Sequence, residues 1–150
     1  MLKDVKFFME LAIDQAKLAA KIKEIPVGAI ITVNNKVISS GFNMREKLNN
    51  SLAHAEIMAI NAACRRLKSW RILNSAIYVT LEPCIMCFGA ILNSKIENIV
   101  FGAKSVNSEA CISNNHLKEI CRENKVNIIS GVCEKDCKDI LSSFFKRLRK

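Results

Sequence analysis

The sequence has little of what marks membrane, secreted or multidomain proteins. No apolar run approaches the roughly 20 residues that span a bilayer. The first ten residues mix charged with apolar side chains, unlike a signal peptide. Internal repeats, low-complexity tracts and linkers are also missing. We therefore expect residues 1–150 to form one domain that works in the cytoplasm without a membrane partner.

The sequence also has few acidic residues, and its cysteines cannot all pair as disulfides. The seven cysteines are an odd number, so we expect thiols that are free or bound to metal in a reducing compartment. Asp and Glu number only 14 against 23 Lys and Arg, which gives a formal charge of +9. This excess favours a polyanionic partner such as nucleic acid, while a basic proteome or simple solubility would produce the same balance.

The spacing of apolar residues predicts helices and strands that alternate after an initial hairpin turning at Asn34-Asn35. This order indicates an α/β fold with a mixed sheet of about five strands and helices on both faces. It leaves the strand order open. The predicted helices are 3–22, 53–68, 83–93, 116–122 and 135–149, and the predicted strands are 27–33, 36–40, 76–81, 95–101 and 125–130.

Three candidate metal ligands stand at two predicted helix starts. Cys84 and Cys87 are three residues apart, so their sulfur atoms share one helical face, a spacing that suits two thiolates on one zinc. His54 supplies an imidazole as a third ligand, and the fourth tetrahedral position stays open for water, as in catalytic sites. The partial positive charge of a helix N-terminus lowers the pKa of a thiol and favours the thiolate. We therefore predict a catalytic zinc site.

Glu56 follows His54 by two residues and is not needed as a ligand. At the first turn of a helix both side chains can lean over the helix end, whereas in mid-helix they would point apart. A carboxylate beside zinc-bound water can take its proton and return it to the substrate. A lone His or a lone C-x-x-C has ordinary structural or redox explanations, but their combination with Glu56 favours a metal-activated nucleophile with a proton shuttle.

The chain resembles the family of bacterial tRNA-specific adenosine deaminases, which belong to the cytidine-deaminase-like superfamily. The zinc motif is shared by many deaminases, whereas the Phe-Phe pair followed by a basic helix end is more particular to this family. The similarity runs from the first predicted helix to the last, through residues 25–29, 41–43, 53–57, 78–87, 100–103 and 144–149.

The resemblance implies a three-layer α/β/α cytidine-deaminase-like fold and a reaction. One Zn²⁺ per subunit would be bound by His54, Cys84 and Cys87, with Glu56 as the general acid and base. The reaction would be hydrolytic deamination of adenosine to inosine at the wobble position of tRNA, in particular an arginine tRNA whose anticodon begins with A. A homodimer would bind the tRNA.

The resemblance also implies substrate contacts. Asn43 would hydrogen-bond the flipped-out base or its ribose. The base pocket would be walled by Pro26, Val27 and Leu81, and the anticodon loop would be met by Phe145, Arg147 and Arg149.

Each of these contacts has an alternative that the residues alone leave open. Asn43 is also a residue type that caps turns. Phe144 and Phe145 cannot both face inward on one helix, so one is either a stacking platform for a base or a half-buried side chain. The basic C-terminal residues fit RNA binding and equally fit a cationic helix end that complements the helix dipole.

Two segments depart from the family pattern. Asn50-Ser51-Leu52 stands where members usually have Asp-Pro-Thr, and residues 105–109 replace an Asp-x-Lys-x-Gly loop. Ser105 and Asn107 take the place of that loop's Asp and Lys, so the stringency for flanking nucleotides stays open. Rival functions are a small-molecule deaminase such as a guanine deaminase, which the basic charge disfavours, and a non-catalytic zinc module that binds RNA, which Glu56 disfavours.

Overall fold

The computed structural model describes residues 2–105 and 115–149, and helices and strands alternate within these ranges. Each of the ten predicted elements has a counterpart, and no described helix is both long and apolar enough to cross a membrane. The helices are α1 (Val5–Lys21), α2 (Ala55–Leu67), α3 (Ile85–Asn93), α4 (Asn115–Glu123) and α5 (Glu134–Leu148). The strands are β1 (Gly28–Val33), β2 (Lys36–Phe42), β3 (Ser75–Leu81), β4 (Asn98–Ala103) and β5 (Asn127–Ile129).

These strands form one mixed sheet in the order β2-β1-β3-β4-β5. β1 pairs antiparallel with β2 and β3, whereas β3–β4 and β4–β5 are parallel. Parallel neighbours need crossover connections, which here contain α3 and α4. Leu81 and Ala103 are partners at the ends of β3 and β4, so the segments that follow them start at the same edge of the sheet.

The hairpin that starts the sheet turns at the predicted dipeptide. Asn34 and Asn35 have φ angles of 51° and 61°, the left-handed conformation that both central residues of a type I′ turn require. Asparagine tolerates this conformation better than most residues because its short polar side chain can hydrogen-bond locally. The sequence therefore encodes this turn directly.

Helices cover both faces of the sheet, which confirms the predicted three-layer α/β/α architecture. One face packs against α1 and α5 through Phe8, Met9 and Cys137 around Tyr78. The other face packs against α2, α3 and α4 in a larger cluster that includes Phe88 and Phe101. The three central strands, β1, β3 and β4, are runs of buried side chains because they are sandwiched between helices.

Some element boundaries differ from the predictions. β2 continues through Gly41 and Phe42, beyond its predicted end at position 40. β4 begins at Asn98 instead of position 95, because Lys95 (φ 63°) belongs to the turn that closes α3. Cys84 is the N-cap of α3, so Pro83 lies just before the helix and not in its first turn.

Candidate active site

The starts of α2 and α3 place three ligand atoms together. His54 is the N-cap of α2, and Cys84 is the N-cap of α3. Nδ1 of His54 lies 3.6 Å from Sγ of Cys84 and 3.6 Å from Sγ of Cys87. All three donor atoms lie within 4.8 Å of one another, although His54 is 30 and 33 positions away from the two cysteines in the chain.

This donor set fits zinc. With typical Zn–S and Zn–N bond lengths, a tetrahedral ion holds a thiolate sulfur and an imidazole nitrogen about 3.6 Å apart. The observed separations therefore match without side-chain movement. Only three protein ligands converge among the described residues, so a bound zinc ion would keep a fourth position for water, as in catalytic sites.

Close packing of α2 on β2 helps to position His54. A Cβ atom added to Gly41 would lie 2.6 Å from the carbonyl oxygen of Ala55 and 2.6 Å from the backbone nitrogen of Ala59. Only glycine allows the helix to approach the strand this closely. The Gly41-Phe42-Asn43 segment therefore sets the position of the helix start as well as the wall of the cavity.

Glu56 is buried beside the ligands at the first turn of α2, where it was predicted to lie. Its side chain is only 4% exposed, yet it lines the cavity together with His54 and Cys84. Burial raises the pKa of this carboxyl to about 7. A carboxyl in this position can hold or release a proton next to a molecule bound in the cavity.

The thiols of Cys84 and Cys87 have their pKa values shifted in opposite directions. A hydrogen bond with Cys87 lowers the pKa of Cys84 to about 4, since the bond stabilises the Cys84 thiolate. The same interaction raises the pKa of Cys87, and a hydrogen bond with Cys84 raises the pKa of His54. Negative charge is thus stabilised on Cys84 beside the thiol of Cys87.

A cavity of about 810 Å³ adjoins the site, and His54 and Cys84 are among the residues that line it. Among the predicted substrate-binding residues, Asn43, Val27, Leu81, Phe145 and Arg149 line it. Pro26 is buried next to this wall, and neither Pro26 nor Arg147 is part of the described lining. The fold thus brings five of the seven predicted contacts to one cavity.

One face of α5 forms a wall of this cavity, and sequence reasoning found only part of it. Phe145 and Arg149 were predicted, whereas four other lining residues of the helix were not. Helical periodicity counted from Phe145 would have identified them, because all six recur on one face. The face consists of Lys138, Leu141, Ser142, Phe145, Lys146 and Arg149.

The cavity has a strongly positive rim over an acidic floor. Lys104 and Arg45 add to the cations of α5, so five described lining residues carry a positive charge. The acidic lining residues are Glu56 and Glu82, and both are buried. The exposed part of the cavity is therefore suited to anionic groups such as phosphates.

The structure bears on two of the open alternatives without testing substrate contact. Asn43 does cap a turn, because its Oδ1 accepts a hydrogen bond from the backbone N–H of Arg45 at 3.2 Å, and it also lines the cavity. Phe144 is 5% exposed and packs inward, whereas Phe145 is 39% exposed at the cavity. Of the segment that departs from the family pattern, Ser105 lines the cavity, while residues 106–109, with Asn107, lie outside the described residues.

A family model places this site in a known class. Residues 2–103 match the model described as the cytidine and deoxycytidylate deaminase zinc-binding region. These residues contain all three ligands and Glu56. The chain therefore belongs to this zinc-dependent deaminase family, and zinc is its cofactor.

Similar proteins narrow the class to one branch. The chain is 45% identical over 146 residues to the tRNA-specific adenosine deaminase of Buchnera aphidicola subsp. Baizongia pistaciae, covering 97% of this chain and 90% of the relative. It is 40% identical over 147 residues to the protein of the same description in Bacillus subtilis, covering 97% and 91%. Within the family, the chain therefore belongs with the tRNA-specific adenosine deaminases.

Solved structures share the fold. A protein from a study of A-to-I editing by deaminases at the wobble position of transfer RNA superposes with a TM-score of 0.83 at 33% identity, covering 90% of this chain and 99% of that one. A guanine deaminase from Nitrosomonas europaea superposes with a TM-score of 0.85 at 20% identity, covering 96% and 86%. The second likeness shows the fold alone.

Proposed function

We propose that this protein hydrolyses adenosine to inosine at the wobble position of tRNA, including an arginine tRNA whose anticodon begins with A. The observation that carries the proposal is the buried Glu56 beside a three-ligand zinc site, at the floor of a cavity whose rim is cationic. The floor suits deamination chemistry and the rim suits a phosphate backbone. The names of the relatives given above support the same substrate.

In this proposal Glu56 moves the protons. Zinc bound by His54, Cys84 and Cys87 would supply a water molecule acidic enough to react at neutral pH. Glu56 accepts a proton from the attacking water and delivers it to the purine ring. It then accepts the remaining proton of the hydroxyl group added at C6 and passes it to the departing amino group. A C–O bond forms at C6 of adenine and the C–N bond breaks, so adenosine and water give inosine and ammonia.

The remaining predicted residues bind the substrate. Asn43 hydrogen-bonds the base or its ribose, and the apolar side chains of Val27 and Leu81 flank the ring, with Pro26 buried behind them. A base must leave the stack of the loop to reach this depth. A base bound in the cavity would displace water from around the reacting ring.

The anticodon loop would contact the C-terminal helix. The half-exposed ring of Phe145 offers a platform for a neighbouring base, and Arg149 lies where it can contact phosphates. Arg147 is exposed and lies outside the described lining, so we place it against the loop backbone beyond the cavity.

We also propose that residues 1–150 act as one domain in the cytoplasm and that the protein works as a homodimer. None of the six described cysteines forms a disulfide, which is compatible with a reducing compartment. Leu52 and Ile85, which flank metal ligands in the chain, are 54% and 68% exposed. Burying such apolar side chains against a second subunit is favourable.

A small-molecule deaminase is the second candidate function. The chain is 30% identical to a guanine deaminase from Bacillus subtilis with a TM-score of 0.64, covering 69% of this chain and 66% of that one. The two proposals share the zinc chemistry and differ in the substrate. A non-catalytic zinc module that binds RNA would leave Glu56 without a role.

The decisive test incubates zinc-loaded protein with an arginine tRNA transcript bearing A at the wobble position, with free adenosine and guanine in parallel. The proposal expects inosine only in the tRNA. A Glu56→Ala variant should retain zinc and lose turnover. Turnover of guanine or free adenosine with unchanged tRNA would refute the RNA substrate, and tRNA binding without inosine would support the module.

A further inference from the structure

Glu24 is a buried carboxylate that the reaction proposed above does not use. It is 1% exposed and follows the end of α1. Two backbone hydrogen bonds close the C-terminus of the helix. The N–H of Lys23 donates to the oxygen of Ala20, and the N–H of Glu24 donates to the oxygen of Ala19, both at 3.0 Å. Lys23 has a φ of 63°, as the residue after a helix has in a Schellman motif. This closure fixes the position from which the Glu24 side chain extends.

The side chain reaches a compact turn between β2 and α2, which we call the recognition turn (residues 43–50). Within it the N–H of Leu48 donates to the oxygen of Met44 at 2.9 Å, and the N–H of Asn50 donates to the oxygen of Arg45 at 3.0 Å. Helical turns of this kind leave their first backbone N–H groups without partners inside the turn.

Two side chains satisfy these N–H groups. Oδ1 of Asn43 accepts from the N–H of Arg45 at 3.2 Å. Oε1 of Glu24 accepts from the N–H of Glu46 at 2.8 Å and from that of Lys47 at 3.0 Å, and Oε2 also accepts from Glu46 at 3.2 Å. A carboxylate at the positive end of a helical turn makes short, charge-assisted hydrogen bonds. Glu24, which lies outside the turn in the chain, therefore stabilises the turn through these hydrogen bonds.

The recognition turn carries two side chains of the cavity wall. Asn43 and Arg45 both line the cavity, and the positive charge of Arg45 is close enough to His54 to lower its pKa, although the net effect of all neighbours raises it. Asn43 has further anchors, since its backbone N–H donates to Val27 at 3.1 Å and its Nδ2 to Ile25 at 3.2 Å. The two N–H groups that Glu24 binds belong to Glu46 and Lys47, the residues that directly follow Arg45 in the chain.

We propose that Glu24 is a positioning residue for substrate recognition: its carboxylate holds the recognition turn so that Arg45 faces the bound nucleotide. The inference rests on the proposed tRNA function for its substrate and on the observed hydrogen bonds for its mechanism. Glu24 itself lies outside the described cavity lining, so it acts through the turn and not by contact with substrate.

The first test compares the Glu24→Gln variant with wild type on the tRNA substrate. Glutamine keeps the size of the side chain but removes the charge and turns an NH₂ group toward backbone N–H donors. We expect KM to rise about tenfold with kcat changed less than about twofold, because binding geometry is lost and the zinc site is not. Glu123→Gln, at the exposed end of α4, is the matched control and should behave as wild type.

A double-mutant cycle tests whether Glu24 affects KM through Arg45. If Glu24 acts through Arg45, Glu24→Gln should raise KM much less in an Arg45→Ala background than in wild type. Additive effects would overturn the proposal. So would an equal fall in kcat accompanied by zinc loss, since that pattern indicates general structural damage. Should Glu24→Gln fail to fold, Glu24→Asp keeps the charge with a shorter reach and is expected to raise KM by a smaller factor.

A measurement without substrate separates this inference from the proposed function. Amide hydrogen exchange at Glu46 and Lys47 should be faster in Glu24→Gln than in wild type, with exchange in β3 unchanged. If wild type deaminates no tRNA but this difference is present, the proposed substrate is wrong and the anchoring role stands. Equal exchange rates would overturn the anchoring role whatever the substrate.

Discussion

The metal corner (His54, Glu56, Cys84 and Cys87) and the α5 face at the cavity border the same space but are attached to the fold differently. The helices of the corner are embedded, since α2 buries five of its 13 residues, Glu56 among them. α5 buries only Cys137 and Phe144 of its 15 residues. The corner is thus attached to the core through a larger share of its helix than the α5 face is. We therefore expect substitutions at the corner to affect the chemistry and substitutions on the α5 face to affect recognition.

Removal of zinc should produce the largest effect and should spare the fold. Treatment with a chelator should reduce deamination by at least about 10³-fold, because the nucleophile loses several kcal/mol of activation. Circular dichroism should stay close to that of the zinc-loaded protein, because the core does not depend on the metal.

A matched pair of variants localises the metal requirement. Cys87→Ala should lose zinc, whereas Cys64→Ala, a change elsewhere on α2, should keep it. Activity that persists in zinc-free protein would contradict the metal corner as described.

Substitutions of Phe144 and Phe145 should separate the packing of α5 on the core from the contribution of α5 to tRNA binding. Phe144→Ala should cost about 3–5 kcal/mol of unfolding free energy because it leaves a cavity in the core. Phe145→Ala should change stability little and weaken tRNA binding by about 1–3 kcal/mol if the ring stacks on a base. Urea denaturation and filter binding measure the two quantities. The reverse pattern would show that the two faces of α5 are assigned incorrectly.

The contact of α5 with β4 offers a smaller, more local perturbation. A Cβ at Gly102 would lie 2.3 Å from Sγ of Cys137, so Gly102→Ala should push α5 away and cost about 1–3 kcal/mol. We expect a higher KM for tRNA with zinc content unchanged, because only the recognition side moves. Adding Cys137→Ala should recover part of the loss, and a double variant no better than the single one would argue against this contact.

Removal of a single charge from the α5 face should have the smallest effect on tRNA binding. Lys138→Ala and Arg149→Ala should each reduce the slope of log affinity for tRNA against log salt by about 1 if each side chain contacts a phosphate. Lys135 on the same helix points elsewhere and pairs with Asp139 at 2.6 Å, so Lys135→Ala should leave the slope unchanged. Equal slopes in all variants would exclude the face from phosphate contact.

Local sequence patterns predicted much of this molecule. Helical and alternating periodicity predicted all ten elements, and Asn34-Asn35 predicted the turn, because these features depend on neighbours in the chain. The metal motif could also be predicted from the sequence, because the spacing of its residues is fixed at the start of each of the two helices. The order of the strands could not be predicted, because it depends on contacts between distant segments. The start of β4 was placed too early because the turn that closes α3 includes Lys95.

The sequence by itself determined the chemical groups of the site: two thiols, an imidazole and a carboxylate at helix starts. Only the tertiary structure decided which side chains surround them. Lys104, Lys138 and Arg45 come to one cavity because parallel strands end at a common edge and α5 packs across that end. Glu24 acquires its role in the same way, through hydrogen bonds to residues more than 20 positions away. Such contacts leave no periodic signal in one sequence, since they arise when the core buries its apolar surface and brings remote segments together.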